Sequence, residues 1–583
     1  MKRSYLAFLL IMSSCSGNLI DTIDEPSDDD EVITTDGTIS IVFSESGATV
    51  SGDPSGIVQV SGNDVTVNNT SEALITYELS GTASDGFFKL YSSTKQVIEL
   101  KGLNLKNPNG AAINNQSHKK TSVVVTGENY LTDGAVNSSG DYPDQTSDED
   151  MKAAFFSEGQ LIFSGDGSLT VTADGKAGIT SDDYVAIQNG VTINVTSTGG
   201  HGIRGSEKVT VSGGTLNVNT SATGKKGIST DGEFSLSDGT VTIVSTSSAG
   251  IVDGELTGAA GIKADESFII DGGSLSVTVS GKGCKGIACD GDGHFNGGTV
   301  KVVASGANYG SSSSQGPWGG GSSSSESKSS KGIRFEGDLH FDGADVDVTC
   351  TSHEGIEAKG AITITAGNVS SSASDDAINS GSDMTISGGH VYAFSTGNDG
   401  LDANGDMFIK GGYIFAVGSS SPEVALDANT EERHQLYISG GTLLAFGGIE
   451  SGSSITQPVL NVTSWTANTE YSLYDGDTLL ITFTAPSKGG NGIVISHPDL
   501  VSGSSYTLKT SSGSTPLTAS MEAQGGTGGG GNPGGNPGGN PGGGNPGGGP
   551  GGRRETIIFI EYENEDIHNH NFVTLRPVSP GTG

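Results

Sequence analysis

Along most of this chain one aliphatic residue returns at a near-constant interval, each time behind a glycine or alanine. Ile179, Ile203, Ile228, Ile262, Ile287, Ile333, Ile356, Ile378, Leu401 and Leu426 carry the beat, at spacings of 24, 25, 34, 25, 46, 23, 22, 23 and 25 residues. Around each marker runs roughly the same phrase: Gly-Ile-x-x-Asp, a short strand, Gly-Gly-x-Val-x-Val, then Ser, Thr or Gly. Polarity alternates with a period of two inside it. In Gly214-Thr215-Leu216-Asn217-Val218-Asn219, Leu216 and Val218 face one way and the polar residues the other. Gly213 and Gly214 free the backbone for a corner. A period of 22 to 25 residues holds three short strands and three bends, one coil of a solenoid. The two long intervals each contain an insertion, at 249–260 and at the Gly/Ser-rich 306–330. Leucine-rich repeats share the period but need a leucine and asparagine consensus that is absent. The predicted fold is therefore all-β, a right-handed parallel β-helix over residues 37–455.

The rest of the chain departs from the beat. Residues 37 to about 155 keep the β-rich, Gly/Asn-punctuated texture and read as the first coils with an N-terminal cap. Residues 456–522 contain Tyr471-Ser-Leu-Tyr474, Leu479-Leu-Ile-Thr-Phe483 and Ile493-Val-Ile495, which predict antiparallel strands closing the open end as a small β cap. Repeated Asn-Pro-Gly-Gly makes 523–552 a linker, and the tail 553–583 has no assigned role.

Composition fits a solenoid, whose coils each bury only a thin row of side chains. Glycine reaches 94 residues and hydrophobic content only 33%. A net charge of −38 argues against nucleic acid and against an anionic membrane surface, both of which need a basic footprint. Most acidic residues serve solubility, but clustered ones suit a hard cation. Of four cysteines, Cys284, Cys289 and Cys350 cannot all pair. A local Cys284–Cys289 bridge stays open, with packed free thiols the leading expectation.

The N-terminus reads as an address. Lys2 and Arg3, an apolar run from Leu6 to Met12, then Ser13-Ser14-Cys15 form a signal peptide over 1–14. The Met-Ser-Ser-Cys ending resembles the bacterial lipobox, which implies cleavage before Cys15 and its lipidation. Residues 15–36 run polar and acidic as a tether, with Asp28, Asp29, Asp30 and Glu31, similar to the surface-export signals of Bacteroidetes lipoproteins. The expected location is the outer membrane of a bacterial envelope, surface-exposed, with membrane contact through this anchor alone. Ordinary signal cleavage is the bland alternative.

Several phrases together resemble a known family. They are Gly127-Glu-Asn-Tyr-Leu-Thr-Asp133-Gly134, Ala153-Ala-Phe-Phe-Ser-Glu-Gly-Gln-Leu-Ile162, Gly165-Asp-Gly-Ser-Leu-Thr-Val171, Asp375-Asp-Ala-Ile-Asn379 and Asn398-Asp-Gly-Leu-Asp-Ala403. The combination resembles the bacterial carbohydrate-binding domain-containing proteins over roughly residues 37 to 520. The resemblance implies a pectate-lyase-like solenoid with bound calcium, cellulosic or polygalacturonate-type ligands and no established catalytic activity.

Stacked coils lie about 4.8 Å apart, so equivalent positions form columns. Two residues before the markers stand Glu354, Asp376 and Asp399; one after stand Glu357, Asn379, Asp402 and Asp427; Asp375 and Glu423 lie three before. Carboxylates at that spacing repel unless a cation lies between them, and calcium takes six to eight oxygens. This predicts calcium between the late coils; a solvated acidic ladder is the alternative. In the earlier coils the same columns are basic. Lys226, Lys285 and Lys331 lie two before their markers, with His201 equivalent, and Arg204, Lys263 and Arg334 one after. The strip could grip uronate carboxylates. Alternatively it pairs internally with Asp231, Asp265, Asp290 and Glu336.

The outward aromatics Tyr392, Phe394, Phe415 and Phe446 are expected beneath the cap, with a cellulose-type stacking face as the alternative. The leading function is non-catalytic, calcium-dependent binding of acidic or cellulosic polysaccharide. A calcium-dependent lyase remains open, since Lys331 and Arg334 lie one coil from Glu354 and Glu357. A structural adhesin or spacer is the third class.

Overall fold

The computed structural model describes residues 33–310 and 327–523. Cys15, the signal peptide, most of the acidic tether, the centre of the second insertion, nearly all of the linker and the tail lie outside them. The described chain is a parallel β-solenoid, and all ten markers fall in one 15-stranded sheet. They stand in register from Ile179↔Ile203 through Leu401↔Leu426. The column runs further than the ten, upstream through Phe155, Ile113, Phe88 and Val65 and downstream to a bridge with Ile449. Every residue in it is fully buried. Each such side chain stabilises the fold by about 1.5–3 kcal/mol relative to exposure.

The marker face is followed in each coil by a second strand and a third, as in Ser267–Ile270 and Ser274–Val279. In other coils these two run on as one, as in Lys208–Thr220, whose register to the next coil breaks between Val211 and Thr215. Gly214 sits at that break with φ +70, and a Cβ there would lie 2.5 Å from the Val191 carbonyl oxygen. That is the physical reason for the Gly-Gly corner. The glycine before eight of the ten markers has a different cause. A Cβ on Gly286 would lie 2.3 Å from Val302 Cγ1 and 2.5 Å from the Gly332 carbonyl oxygen, because the third face packs directly on that backbone.

The insertion at 249–260 is a hairpin, Gly250–Val252 against Glu255–Thr257. A third excursion, residues 133–152, separates Ile113 from Phe155 and packs Tyr142 and Met151 over Ala111. Cys284, Cys289 and Cys350 are buried free thiols.

At the C-terminal end the last long strand, Leu436–Phe446, pairs antiparallel with Gly490–Ser496, which pairs in turn with Val459–Trp465. A four-stranded antiparallel sheet follows. The cap has its own core, including Phe446, Phe483, Tyr506 and Leu508, with Phe394, Tyr413 and Phe415 packed against it. Tyr392 stacks on Phe415 at 5.2 Å and Phe415 meets Phe446 at 4.8 Å. These rings stack along the solenoid axis toward the cap, with Phe446 buried in its core and Tyr392 half-exposed at the other end of the row.

Candidate functional site

Alternation along each marker strand turns the marker inward and its neighbours outward. Parallel register then stacks the neighbours into a strip running the length of the solenoid. One column of it reads Lys89, Asn114, Phe156, Thr180, Arg204, Ser229, Lys263, Ala288, Arg334, Glu357, Asn379, Asp402 and Asp427.

Four of the six expected ligand-binding cations are engaged by carboxylates of this chain. Arg204 meets Asp231 at 2.6 Å, and Lys263 meets Asp265 at 2.6 Å and Asp290 at 2.8 Å. Arg334 pairs with Glu336 and, through Nε, with Glu357 at 2.9 Å. Lys331, almost wholly buried, bridges Glu357 and Glu354, the latter at 3.1 Å. The physical reason is local supply: a carboxylate three residues after a marker, or one coil on, lies within reach of each cation.

Lys226 and Lys285 differ. Among the described residues no carboxylate lies within ion-pair distance of either. The Lys226 ammonium donates only to the Gly224 carbonyl oxygen at 3.1 Å. Burial, then Lys225 and Lys263, push its pKa down to about 8. Burial, then Arg334, Lys328 and Lys331, do the same to Lys285, also to about 8. His201 lies one coil before Lys226 and accepts its backbone N–H at 3.2 Å. Burial and the neighbouring Lys226 hold that imidazole well below its ordinary value.

The acidic segment also divides in two. Glu354 and Glu357 are occupied by cations of the chain itself. Burial raises the Glu354 carboxyl, but His353 and Lys331 outweigh it and hold the pKa down to about 2. Glu357 is likewise lowered against its burial by Lys331 and Lys359. His353 also reaches Asp375 at 3.1 Å. His353 and Lys359 were not singled out in the sequence, although each lies within two residues of an acid that was.

Beyond them the acids are left to one another. Asp376 accepts the Asp399 N–H at 3.0 Å, and Asp399 accepts the Val424 N–H at 2.6 Å, so one oxygen of each ties successive coils together. Asn379 donates to Asp376 at 3.0 Å and to Asp402 at 2.6 Å. Burial with neighbouring carboxylates raises Asp376 to about 6 and Asp399, Asp402 and Asp427 to about 8. Glu423, at the rim, is raised by burial and by Asp375. The Asp427 Oδ1 atom is buried without a donor. Among the described residues no basic side chain pairs with these four aspartates. Oxygen donors short of positive charge are the chemistry a hard cation such as calcium takes, but among the described residues the strip's side chains already gathered within 4.8 Å are His353, Glu354 and Asp375, not these four aspartates.

The fold and this strip define a solenoid that presents a long ionic surface, suited to an extended ligand. A family model described as carbohydrate-binding domain-containing protein matches residues 61–400. That is more than half of the 583 residues, and the chain belongs to this family. The matched span contains Lys226 and Lys285 and stops short of Asp402 and Asp427. Among solved structures, a polysaccharide lyase-like protein from C. thermocellum, in a gadolinium derivative, is similar at 17% identity, covering 56% of this chain and 96% of that one, with a TM-score of 0.27. No curated protein matches the chain.

Proposed function

We propose that this chain is a non-catalytic, calcium-dependent binder of acidic polysaccharide, of the polygalacturonate kind, displayed as a lipoprotein on a bacterial outer membrane. The observation that carries the reading is the pair Lys226 and Lys285, two half-buried ammonium groups on the strip with no carboxylate of the described residues at ion-pair distance. A uronate carboxylate would supply the missing counter-charge. The other four cations neutralise the protein's own acids and position the strip. Asp376, Asn379, Asp399, Asp402 and Asp427 would hold calcium, with Asp375 and Glu423 at the rim. Its charge would offset the acid ladder and bridge further uronates.

Affinity electrophoresis through polygalacturonate tests the reading. The wild type is retarded, and the Lys226→Gln/Lys285→Gln double variant runs free. Equal retardation of the two would remove these lysines from the proposal. A lyase is the second reading, because a lysine held near pKa 8 suits proton abstraction beside a uronate carboxyl. Ultraviolet absorbance from an unsaturated uronide product, absent in Lys285→Gln, would establish it. Cys15 carries the anchor, so Cys15→Ser should abolish incorporation of labelled palmitate.

A further inference from the structure

The strip has an N-terminal end that neither the cations nor the acids explain. There the excursion 133–152 folds back over the marker face and encloses a cavity of about 190 Å³. At about 30 Å³ per water this holds roughly six waters. That is the bulk of one hexose and too little for a disaccharide. Phe87, Lys89, Asn107, Asn114, Asp144 and Met151 line it. Lys89 and Asn114 belong to the same outward column as Arg204 and Asp402.

The lining is held in place before any ligand arrives. Asp133 anchors the base of the excursion, accepting the Asp174 N–H at 2.7 Å, the Gly175 N–H at 3.1 Å and the Tyr142 hydroxyl at 2.5 Å. The Asp144 N–H donates to the Asn109 carbonyl oxygen at 3.0 Å, which fixes the rim. The Ala111 N–H donates to Met151 Sδ at 3.3 Å.

Asn114 is the unexplained group. It is 1% exposed, and its Nδ2 has no acceptor. Its orientation follows from the network. Gln116 Nε2 donates to the Asp150 carbonyl oxygen at 2.7 Å, so that atom is an amine, and the Asn114 atom 2.6 Å from it must be the oxygen. A buried amide donor without a partner costs about 1–3 kcal/mol, and this one lies behind the cavity wall, closed to solvent.

Charge narrows the ligand. Lys89 is paired with Glu149 at 2.8 Å, while Asp144 has no cation in ion-pair contact and, after burial, helps raise the pKa of Asp64. The cavity therefore has a negative balance and disfavours a uronate. It offers the Asp144 carboxylate as an acceptor for hydroxyls and the Phe87 ring for C–H packing. We infer that this cavity binds a single neutral pyranose residue. The inference rests on the carbohydrate-binding reading but not on its acidic specificity.

Saturation-transfer-difference NMR on the full chain tests it, with glucose, galactose, mannose, xylose and galacturonate as probes. At least one neutral sugar should bind, and galacturonate should bind at least tenfold more weakly. Phe87→Ala should lose the neutral-sugar signal while keeping its retardation in polygalacturonate, which also shows that it has folded. Asp144→Asn, at an exposed position, should narrow the discrimination against galacturonate. Lys226→Gln/Lys285→Gln should leave the neutral-sugar signal intact. No signal from any neutral sugar, or an unchanged signal in Phe87→Ala, overturns the inference, while retention on polygalacturonate would still support the proposed function.

Discussion

The two lysines without a close counter-charge make glycan binding depend on pH in an alkaline window that they share with Asp399, Asp402 and Asp427, so the lysine variants are needed to separate the two contributions. An ordinary lysine titrates at 10.5, and Lys226 and Lys285 are held at about 8 by burial and neighbouring cations. Polygalacturonate keeps its carboxylates ionised throughout. At pH 7 both ammonium groups are about nine-tenths charged; at pH 9 each is about one-tenth charged. If the ligand binds only the charged form, affinity falls about tenfold when one lysine matters and about a hundredfold when both do. The sign for folding runs the other way. Both pKa values lie below the unfolded value, so the unfolded chain holds more protons between about pH 8 and 10.5, and stability rises with pH there. Lost binding at pH 9 therefore cannot come from unfolding caused by these groups. Calorimetric titration of full-length protein with polygalacturonate from pH 7 to 9, at one ionic strength to fix screening, measures the effect. Lys226→Gln/Lys285→Gln should bind weakly and keep only the pH dependence that Asp399, Asp402 and Asp427 impose. A wild-type affinity that changes less than twofold between pH 7 and 9 refutes the reasoning.

Other outcomes follow from the same geometry. Calcium should raise the melting temperature at neutral pH, chelator should reverse it, and Asp402→Asn should blunt the response; an unchanged melt in all conditions removes the ion. Lys331→Met leaves Glu354 and Glu357 buried beside fewer cations, at a cost of about 3 kcal/mol with Arg334 and Lys359 still in place, read by denaturant unfolding. Gly286→Ala should cost about 1–3 kcal/mol, because its Cβ would press on Val302 and on the Gly332 backbone, and amide exchange should locate the loosening in that coil. Ile287→Ala should cost about 2–5 kcal/mol by opening a cavity in the marker column.

Much of the solenoid was legible because its signal is redundant. Ten aliphatics behind small residues admit one register, and the structure keeps it. The first coils were harder to read for a physical reason. Their markers are Val65, Phe88, Ile113 and Phe155, so residue type varies, and the excursion 133–152 breaks the interval. The strip was visible as columns of charge, but the sharing of partners was not. Whether Lys331 serves Glu354, Glu357 or a ligand depends on where its flexible side chain lies between two coils, and sequence spacing does not record that. The same holds for Asn114, whose missing acceptor exists only once Gln116 has turned toward Asp150.

The parallel register of the marker face also makes the molecule a ruler. Each coil advances every outward position by about 4.8 Å, so the distance from Lys226 to Asp427 is set by counting coils and comes to roughly 34 Å. A short oligosaccharide can reach Lys285 and Asp376, three coils or roughly 14 Å apart, but not Lys226 and Asp427 together, whereas a polymer can engage all of them and gain from the high local concentration of its second contact. Chain length would thus be sensed by a surface that has no end wall at that point. Adding or deleting one coil would reset the threshold without altering a single contact group.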